Sequence, residues 1–456
     1  MGRAGGLSSF RPTRLWIWPA LLVLFTLSFW VFFLGQAEKS VFGRVPILDE
    51  VYYLDQAAAW ATESNSPREA FFVSPLYPMM IAWAGSDGAA QDERVIPPDR
   101  LRGIRLWQIG CWCGVLILLR LTAGRILGPK YGDRAAGLLP WLPSLLFAFY
   151  MPAAVYAVSI LLELPLVLLV SAAIYLMVLI QESGEARRHL LLAASTGLVI
   201  GLAGLLRGTA LVLALPAALV LFRAARRRTT RFGGVLLMGA LATLVLVPAA
   251  YHNSRLAGRL APPTLNAGVN LYIGNGPQAN GFYVAVVPGD WRRDPAGREF
   301  LGEKMGTMPP GLAEADSIWR REAVRSVADD PGRAAALWIR KIWLHLQGWE
   351  IDQLTPLDRW RLAAPALGLL PIPFALLVVL GLGGAAVRWS DPRVRLVGIA
   401  LVLLVAFQSL FFVVSRYRLV LVPLLCLLAM GGVVELLKRN QRIWIACGVA
   451  VMLAVP

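Results

Sequence analysis

The chain has 456 residues, of which 57% are hydrophobic, and it has a formal net charge of +16. Apolar runs long enough to cross about 30 Å of hydrocarbon recur along it, so we expect an integral membrane protein built as a helical bundle. The positive charge does not indicate nucleic-acid binding, because it is concentrated in short segments between spans, such as Arg223–Arg231, as in cytoplasmic loops.

The apolar runs predict an all-α polytopic fold with ten to eleven transmembrane helices, the N-terminus lying in the cytoplasm. The first run is longer than the core of a usual signal peptide, so we expect it to be retained. The last run is shorter than a full crossing requires. The spans are predicted at 15–35, 104–121, 135–151, 160–180, 190–206, 208–222, 233–251, 366–387, 396–414 and 418–437, with the short run at 443–456.

These spans divide the chain into three predicted parts. They are an N-terminal transmembrane catalytic module (1–251), a non-cytoplasmic loop domain (252–365) and the C-terminal transmembrane helices (366–456). Within the first part, the outer loop 36–103 has two short helix-compatible pieces, Val51–Trp60 and Leu76–Ala84, around a turn at 63–67. Neither piece can span, so both are expected to lie at the bilayer interface.

The second outer loop has a turn-rich beginning and an amphipathic end. Gly and Asn are frequent at 262–276, where they favour turns. The end, Ala334–Glu350, mixes tryptophans with Arg340, Lys341 and His345. This mixture is typical of a helix at the headgroup level.

The outer loop 36–103 carries an acidic pair, Asp49-Glu50, directly before Val51-Tyr52-Tyr53. Carboxylates beside a bilayer are costly and are usually functional. Two interpretations of Asp49 remain open and are compatible. It has a chemical role, taking a proton from a hydroxyl or holding a cation, or it caps the helix that begins near Glu50.

A third acid, Glu163, lies near the outer end of the predicted fourth span. An acid in a span usually faces the interior of the bundle, and the alternative is an interfacial carboxylate. Because Glu163 and Asp49 are predicted at the same face of the membrane, both can line one cavity.

Four cations at the predicted outer face run against the charge bias of the chain. Arginine suits phosphate because its donors form a fixed fork, whereas anchoring to lipid headgroups is the alternative role. The four residues are Arg207, Lys341, Arg416 and Arg418.

Other chemistries find no support in the sequence. The three histidines and four cysteines have no spacing typical of a metal or disulfide site, and neither a phosphate-binding P-loop nor a nucleophile elbow occurs. We therefore expect no cofactor and no obligatory metal, and a divalent cation is the alternative left open.

In the order and sidedness of these motifs, the chain resembles the GT-C glycosyltransferases. In particular it is similar to the family 39 group, which contains the protein O-mannosyltransferases and the lipid A aminoarabinose transferase. The resemblance rests on the Asp49-Glu50 motif, Pro75-Leu-Tyr-Pro78, Glu163, Asn270-Leu-Tyr-Ile-Gly-Asn275 and Arg416-Tyr-Arg-Leu419. It is strongest in 1–220.

The resemblance implies transfer of a sugar from a polyprenyl-phosphate donor, with inversion, to a hydroxyl of a lipid, protein or glycan. The enzyme would lie in the cytoplasmic (inner) membrane with its site facing outside. Asp49 would be the general base, Glu50 would support it, and Glu163 would orient acceptor or sugar, although an Asp is common at that position in the family. Arg416 and Arg418 would grip the donor phosphate, with Arg207 and Lys341 as further phosphate ligands. The remaining candidates for the substrate cavity are Tyr52, Tyr53, Tyr77, Asn270, Asn275 and Tyr417.

Two other function classes compete with this one. A transporter or lipid flippase also places acids and arginines in the membrane, but matching halves with interrupted spans are not seen. A ligase or polymerase that moves whole oligosaccharides from a diphosphate lipid is a third hypothesis, against which the acidic motif argues weakly.

Overall fold

The computed structural model of the protein describes residues 17–61, 69–85, 95–127, 139–285, 294–353 and 356–437. In those residues the regular secondary structure is helical, apart from one isolated bridge between Tyr150 and Pro371. The predicted all-α fold is therefore confirmed.

The α-helices are numbered here in chain order. The first half contains α1 (Ile17–Lys39), α2 (Val41–Arg44), α3 (Asp49–Ala61), α4 (Leu76–Trp83), α5 (Pro98–Leu127), α6 (Leu142–Ala148), α7 (Met151–Val158), α8 (Glu163–Gln181), α9 (Ala186–Leu206) and α10 (Ala214–Ala224). The second half contains α11 (Arg228–Ala257), α12 (Ala267–Asn275), α13 (Arg298–Met305), α14 (Leu312–Asp329), α15 (Pro331–Leu346), α16 (Leu357–Ala363), α17 (Phe374–Val387), α18 (Pro392–Gln408), α19 (Ser415–Arg418) and α20 (Val422–Leu437).

Within the described residues, six helical stretches are long and apolar enough to cross a bilayer. They are Ala20–Lys39, Pro98–Leu127, Glu163–Gln181, Ala186–Leu206, Arg228–Ala257 and Ser415–Val433. Shorter apolar stretches occur at Leu139–Ala148, Gly208–Ala224 and Phe374–Val387. The chain is thus a polytopic integral membrane protein. The count of ten to eleven spans stays a prediction, and the run 443–456 lies outside the described residues.

Five predicted spans differ from the observed helices, and two of them, 208–222 and 418–437, differ only by a 3-10 segment near their starts. In place of one helix over 135–151, α6 has only seven residues, and α7 follows as a separate helix. The expected span 366–387 becomes a 3-10 turn followed by α17, which begins after Pro373, and α18 ends at Gln408, short of the predicted 414. Prolines near the starts of α6, α7 and α17 explain the breaks in 135–151 and 366–387, because proline begins a helix more readily than it continues one.

The short helices of the two loops form where the sequence predicts them. They are α3, α4 and α15, the last of which exposes Ile339 and Trp343 while it buries Lys341 and His345. The turn predicted at 63–67 lies outside the described residues.

Glycines allow close packing between the long helices. A Cβ atom added to Gly201 of α9 would lie 2.8 Å from the carbonyl oxygen of Ala242 in α11, and one added to Gly381 of α17 would lie 3.1 Å from that of Leu425 in α20. Small residues at such contacts let helix backbones approach within the membrane.

Both loops meet at one end of the bundle. The amide of Phe71 donates to Asn253 Oδ1 at the end of α11 (2.7 Å), and the amide of Ser415 donates to the carbonyl of Ile351 (2.9 Å). The first loop, the second loop and the start of the last span therefore surround a common space, and this end is called the loop end below.

Candidate active site

A cavity of about 810 Å³ lies at the loop end. All three predicted parts of the chain contribute to its wall. Six of the thirteen residues predicted for the site line it, namely Asp49, Tyr53, Arg207, Asn270, Arg416 and Tyr417. The other seven lie behind the wall or beside it, as described below.

Asp49 is the first residue of α3 and presents its carboxylate to the cavity. It follows Leu48, whose φ of 46° is in the left-handed region, an uncommon conformation for a branched side chain. In the described residues, the recorded donor to the Asp49 carboxylate is the Arg416 Nη1 group rather than a backbone amide of α3. Among the described residues, the Asp49 side chain therefore forms an ion pair and makes no capping hydrogen bond to α3. Its chemical role stays a prediction.

A second ion pair lies across the same cavity wall. Arg207 Nη2 donates to Glu163 Oε1 at 2.8 Å, and Glu163 is almost completely buried. The guanidinium carbon of Arg207 lies 4.1 Å from the centre of the Tyr417 ring, and that of Arg416 lies 5.1 Å from it. Tyr417 therefore brings the two cations together through cation–π contact.

Both arginines keep donors that have no partner. Arg207 Nη1 and Arg416 Nε are buried and make no hydrogen bond to any described residue. A buried donor without a partner costs free energy, so each of these groups is suited to a ligand that accepts hydrogen bonds. Two guanidinium groups at one wall favour an anion.

Glu50 lies behind this wall and connects the two acidic positions. Its carboxylate accepts from the amides of Ile160 (2.9 Å) and Ile47 (3.1 Å). Ile160 belongs to the non-helical break between α7 and α8, and α8 begins at Glu163. Burial raises the pKa of Glu50 to about 6, although the two amides and Arg105 act against the shift. Glu50 is therefore placed to fix backbone rather than to contact a substrate.

Side chains of α5 and α4 support the same break. Gln108 Nε2 donates to the carbonyls of Ala157 (3.0 Å) and Ser159 (2.7 Å), while Tyr77 Oη donates to Gln108 Oε1 (2.6 Å). Arg105 Nε donates to the carbonyl of Val158 at 3.1 Å. Sequence reasoning missed Arg105 and Gln108, although a charged and a polar residue inside an apolar span were the available signal.

Arg418 lies outside the cavity wall and is completely buried. Its Nη1 donates to the carbonyl of Trp349 (2.6 Å), Nη2 is 3.4 Å from Glu350 Oε2, and its guanidinium carbon lies 3.9 Å from the centre of the Phe374 ring. Glu350 also accepts from Tyr150 Oη at 2.7 Å. Through these contacts Arg418 connects the end of the second loop to the last helices of the bundle.

Lys341 and Asn275 form a contact beside the cavity. Lys341 Nζ donates to the Gly274 carbonyl and to Asn275 Oδ1, each at 3.0 Å. Asn275 Nδ2 in turn donates to the Leu410 carbonyl (2.7 Å). Burial lowers the pKa of Lys341 to about 8. These hydrogen bonds connect the end of α12 to α15 and to the segment after α18. Neither Lys341 nor Asn275 lines the cavity.

The remaining residues complete the wall and its support. Tyr52 packs against Phe72, with ring centres 6.4 Å apart, whereas Tyr53 reaches the cavity and meets the Tyr77 ring edge-on at 4.9 Å. Two carboxylates that sequence reasoning missed, Asp294 and Asp352, also line the cavity. They occur in loop sequence without a motif, so no sequence signal distinguished them.

In the described residues, no three His, Cys, Asp or Glu side chains come together as a metal site would require. The cavity wall carries the guanidiniums of Arg207 and Arg416 together with three tyrosines and the carboxylates of Asp49, Asp294 and Asp352. The two guanidiniums are the groups of this wall that suit an anion.

Comparisons with known proteins identify the fold. A comparison with protein-family models finds no match, and a search of curated proteins finds none. Among solved structures, the chain is similar to the apo oligosaccharyltransferase of Archaeoglobus fulgidus, with 12% identity, a TM-score of 0.51 and coverage of 98% of this chain. It spans about half the length of that protein, 53%.

A second similar structure is ArnT from Cupriavidus metallidurans bound to undecaprenyl phosphate. It has 14% identity, a TM-score of 0.40 and coverage of 91% of this chain and 78% of that one. At such low identities the likeness concerns architecture alone. The fold predicted from the sequence is therefore confirmed, and the chain is a polytopic membrane protein with the GT-C fold.

Proposed function

We propose that this protein is a membrane glycosyltransferase that transfers a sugar from a polyprenyl-phosphate donor to a hydroxyl acceptor. The observation that carries the proposal is the Asp49–Arg416 ion pair in the wall of the cavity, next to the second cation, Arg207. A carboxylate beside two phosphate-binding groups provides a base and an anion site within one cavity. The GT-C fold, shared with an oligosaccharyltransferase, supports the same class.

In the proposed reaction, the acceptor oxygen attacks the anomeric carbon of the sugar while the bond from that carbon to the phosphate oxygen breaks. Asp49 takes the proton of the hydroxyl. The electron pair of the broken bond stays on polyprenyl phosphate, whose charge the guanidiniums stabilise. Attack opposite the leaving group inverts the anomeric configuration.

The unpartnered donors support a phosphate position at this wall. Arg207 Nη1 and Arg416 Nε are buried and have no partner among the described residues, so each lacks an acceptor that an oxygen of a bound phosphate would provide. Glu163 would then act through Arg207, whose guanidinium it orients. This assignment leaves Arg418 and Lys341 as positioning residues rather than phosphate ligands.

The cavity also suits the non-polar part of such a donor. Its volume of about 810 Å³ falls in the range of small-molecule sites. Its lining includes the aromatic residues Phe282, Phe407, Phe411 and Phe412, of which Phe407 is also exposed on the outside of the bundle. Isoprenoid carbon next to the phosphate can pack on these rings.

We place the cavity on the non-cytoplasmic side of the cytoplasmic membrane. The basic segment Arg223–Arg231 and the cavity lie at opposite ends of α11, whose 30 residues extend over about 45 Å. Because positive residues remain on the cytoplasmic side, the cavity end would face outward. No metal takes part in the proposed reaction.

The test is turnover by the purified full-length protein in lipid discs. Candidate polyprenyl-monophosphate and polyprenyl-diphosphate sugars are supplied with acceptor, and release of the free lipid phosphate is measured with and without EDTA. We expect turnover with a monophosphate donor that EDTA does not change. The Asp49→Asn variant should lose at least about 100-fold in rate.

Asp352→Asn is the matched control, because Asp352 is another carboxylate of the cavity wall. It should retain most of the activity. Turnover with diphosphate donors alone would instead favour transfer of oligosaccharides, and full activity of Asp49→Asn would remove Asp49 from the mechanism.

A further inference from the structure

A second cavity, of about 610 Å³, lies beside the first at the loop end. Three arginines from three separate segments line it. Arg259 follows the end of α11, Arg298 begins α13, and Arg321 lies in α14. The described mechanism uses none of them.

Hydrogen bonds hold two of these arginines in place and leave most of their donors unused. Arg259 Nη2 donates to the Ala313 carbonyl (2.8 Å) and to Ser317 Oγ (2.9 Å), and Arg298 Nε donates to the Pro310 carbonyl (2.9 Å). In the described part of the chain, no further hydrogen bond of either guanidinium is recorded. Arg321 makes none there and has no ion pair within 4.0 Å. The cavity therefore presents two guanidinium groups that hydrogen bonds hold in place and a third, that of Arg321, which is exposed. All three have N–H donors available to a ligand.

The second cavity is lined by charges of both signs, with positive charge in excess. Glu69 and Glu314 also line it, yet among the described residues neither lies within the 4.0 Å that defines an ion pair with the arginines. Three cations against two carboxylates favour an anion. The carboxylates can accept hydrogen bonds from hydroxyl or ammonium groups attached to that anion.

The position of the cavity points to the surface of the bilayer. Leu256, in the last turn of the spanning helix α11, lines the cavity and is half exposed, and Leu260 close to it is 97% exposed. Exposed leucines at the end of a span, followed by arginine, are typical of the headgroup region. A ligand here can thus be bound from the bilayer surface.

We propose that the second cavity binds a phosphate group esterified to a polar alcohol, such as the headgroup of an anionic lipid. The arginines would bind the phosphate oxygens through charge-assisted hydrogen bonds, and Glu69 and Glu314 would accept from the alcohol part. The two cavities lie near each other, because Ala70 lines the second and Phe72 the first, and Asp294 of the first accepts from the amide of Glu299, the neighbour of Arg298. The proposal does not depend on sugar transfer in the first cavity.

Binding to the purified full-length protein in detergent tests this proposal. Native mass spectrometry measures the retention of phosphatidylglycerol, and the shift in thermal unfolding measures the binding of inorganic phosphate. The main variant is Arg321→Gln, because it removes no recorded contact. We expect it to weaken phosphatidylglycerol binding about tenfold, the scale of one charge-assisted hydrogen bond, and Arg298→Gln to do the same.

Arg325→Gln is the matched control, since Arg325 lies on the same helix, pairs with Glu322 at 3.2 Å and does not line the cavity. It should bind the lipid like the wild type. Binding of phosphatidylglycerol but not of phosphate would assign the site to a lipid headgroup, and binding of both with the same arginine dependence would assign it to phosphate esters in general. Affinity that neither Arg321→Gln nor Arg298→Gln changes would overturn the proposal.

Discussion

Arg416 donates a hydrogen bond to the Asp49 carboxylate across 367 positions of the chain. In the proposed reaction the two partners have separate tasks, because Arg416 binds the donor phosphate and Asp49 accepts the proton of the hydroxyl. We expect the pair to weaken when the donor binds, because a phosphate on Arg416 Nε would share the positive charge of the same guanidinium with Asp49. Release of the carboxylate by the donor would make Asp49 available as a base only when a sugar is present.

Removing the Arg416 guanidinium should impair the use of donor more than the use of acceptor. We expect Arg416→Ala to raise the KM for the polyprenyl-phosphate sugar at least about tenfold, the scale of a lost hydrogen bond to a charged group. The KM for acceptor should change little. Steady-state rates with each substrate varied in turn measure both values, and equal changes would argue against phosphate binding.

Arg418→Ala should have a different effect, although the residue lies only two positions further on. Arg418 is completely buried and bound to Trp349, Glu350 and the Phe374 ring. Its loss leaves the Trp349 carbonyl without this donor and leaves Glu350 without its cation, with only the hydrogen bond from Tyr150 among the described residues. We expect a loss of about 3 kcal/mol in the free energy of unfolding with an unchanged donor KM in the protein that remains folded. Thermal unfolding in detergent and donor kinetics give the two readouts, and a selective rise in donor KM would return Arg418 to the phosphate site.

The Arg207–Glu163 pair should act as a unit. Glu163→Gln removes the charge that holds Arg207, and Arg207→Gln leaves a buried carboxylate unpaired, so we expect each to destabilise the protein by about 3 kcal/mol. The double variant should lose at least about 1 kcal/mol less than the sum. Unfolding measurements on the four proteins of this cycle test the coupling, and additive losses would show that the contact contributes little.

The sequence was sufficient to predict the general fold and part of the cavity wall. The length of the apolar runs and the distribution of positive charge predicted the spans. The resulting topology predicted that Asp49, Arg207 and Arg416 lie at the same face of the membrane. Hydropathy does not report where a span breaks, so it joined α6 to the residues before it and continued α18 beyond Gln408. Prolines near the starts of α6, α7 and α17 carried part of that information and were visible in the sequence, whereas no proline lies near the end of α18.

Which side chains pair could not be predicted. Arg416 and Arg418 occur in one short motif, yet one residue lines the cavity and the other is bound behind it. On a helical turn, residues two apart point in different directions, and the packing of the second loop decides which side faces the cavity. Asp49 and Glu50 likewise point in different directions from the start of α3. Asp49 faces the cavity, whereas Glu50 faces the break between α7 and α8.

Glu50 should give the enzyme an acidic limit of activity. Burial raises its pKa to about 6, so below that pH the carboxylate gains a proton and one oxygen no longer accepts an amide. We expect the transfer rate to fall as the pH drops through about 6. Glu50→Gln should have a reduced rate with no midpoint near pH 6, and a wild-type midpoint that persists in this variant would assign the titration to another group.

The same pKa shift predicts the direction of a change in stability. A carboxyl group with a raised pKa binds a proton more tightly in the folded than in the unfolded protein between pH 4.5 and about 6. The protonated Glu50 therefore stabilises the folded protein fully below about pH 4.5. As the pH rises through 6, this contribution of about 2 kcal/mol to the free energy of unfolding is lost. Comparing the pH dependence of unfolding for the wild type and Glu50→Gln isolates this contribution, which should be absent in the variant.

The Lys341→Met variant should show whether Lys341 stabilises the structure around the cavity or binds the donor phosphate. The buried ammonium donates to the Gly274 carbonyl and to Asn275, and methionine retains most of its volume without donating. We expect a loss of about 1 to 3 kcal/mol in the free energy of unfolding and a donor KM within about twofold of the wild type. Lys304→Met is the control, because Lys304 is an exposed lysine of the same loop and should change neither value. If Lys341→Met instead raised the donor KM as strongly as Arg416→Ala, the phosphate would have to lie nearer to α15 than the cavity wall indicates.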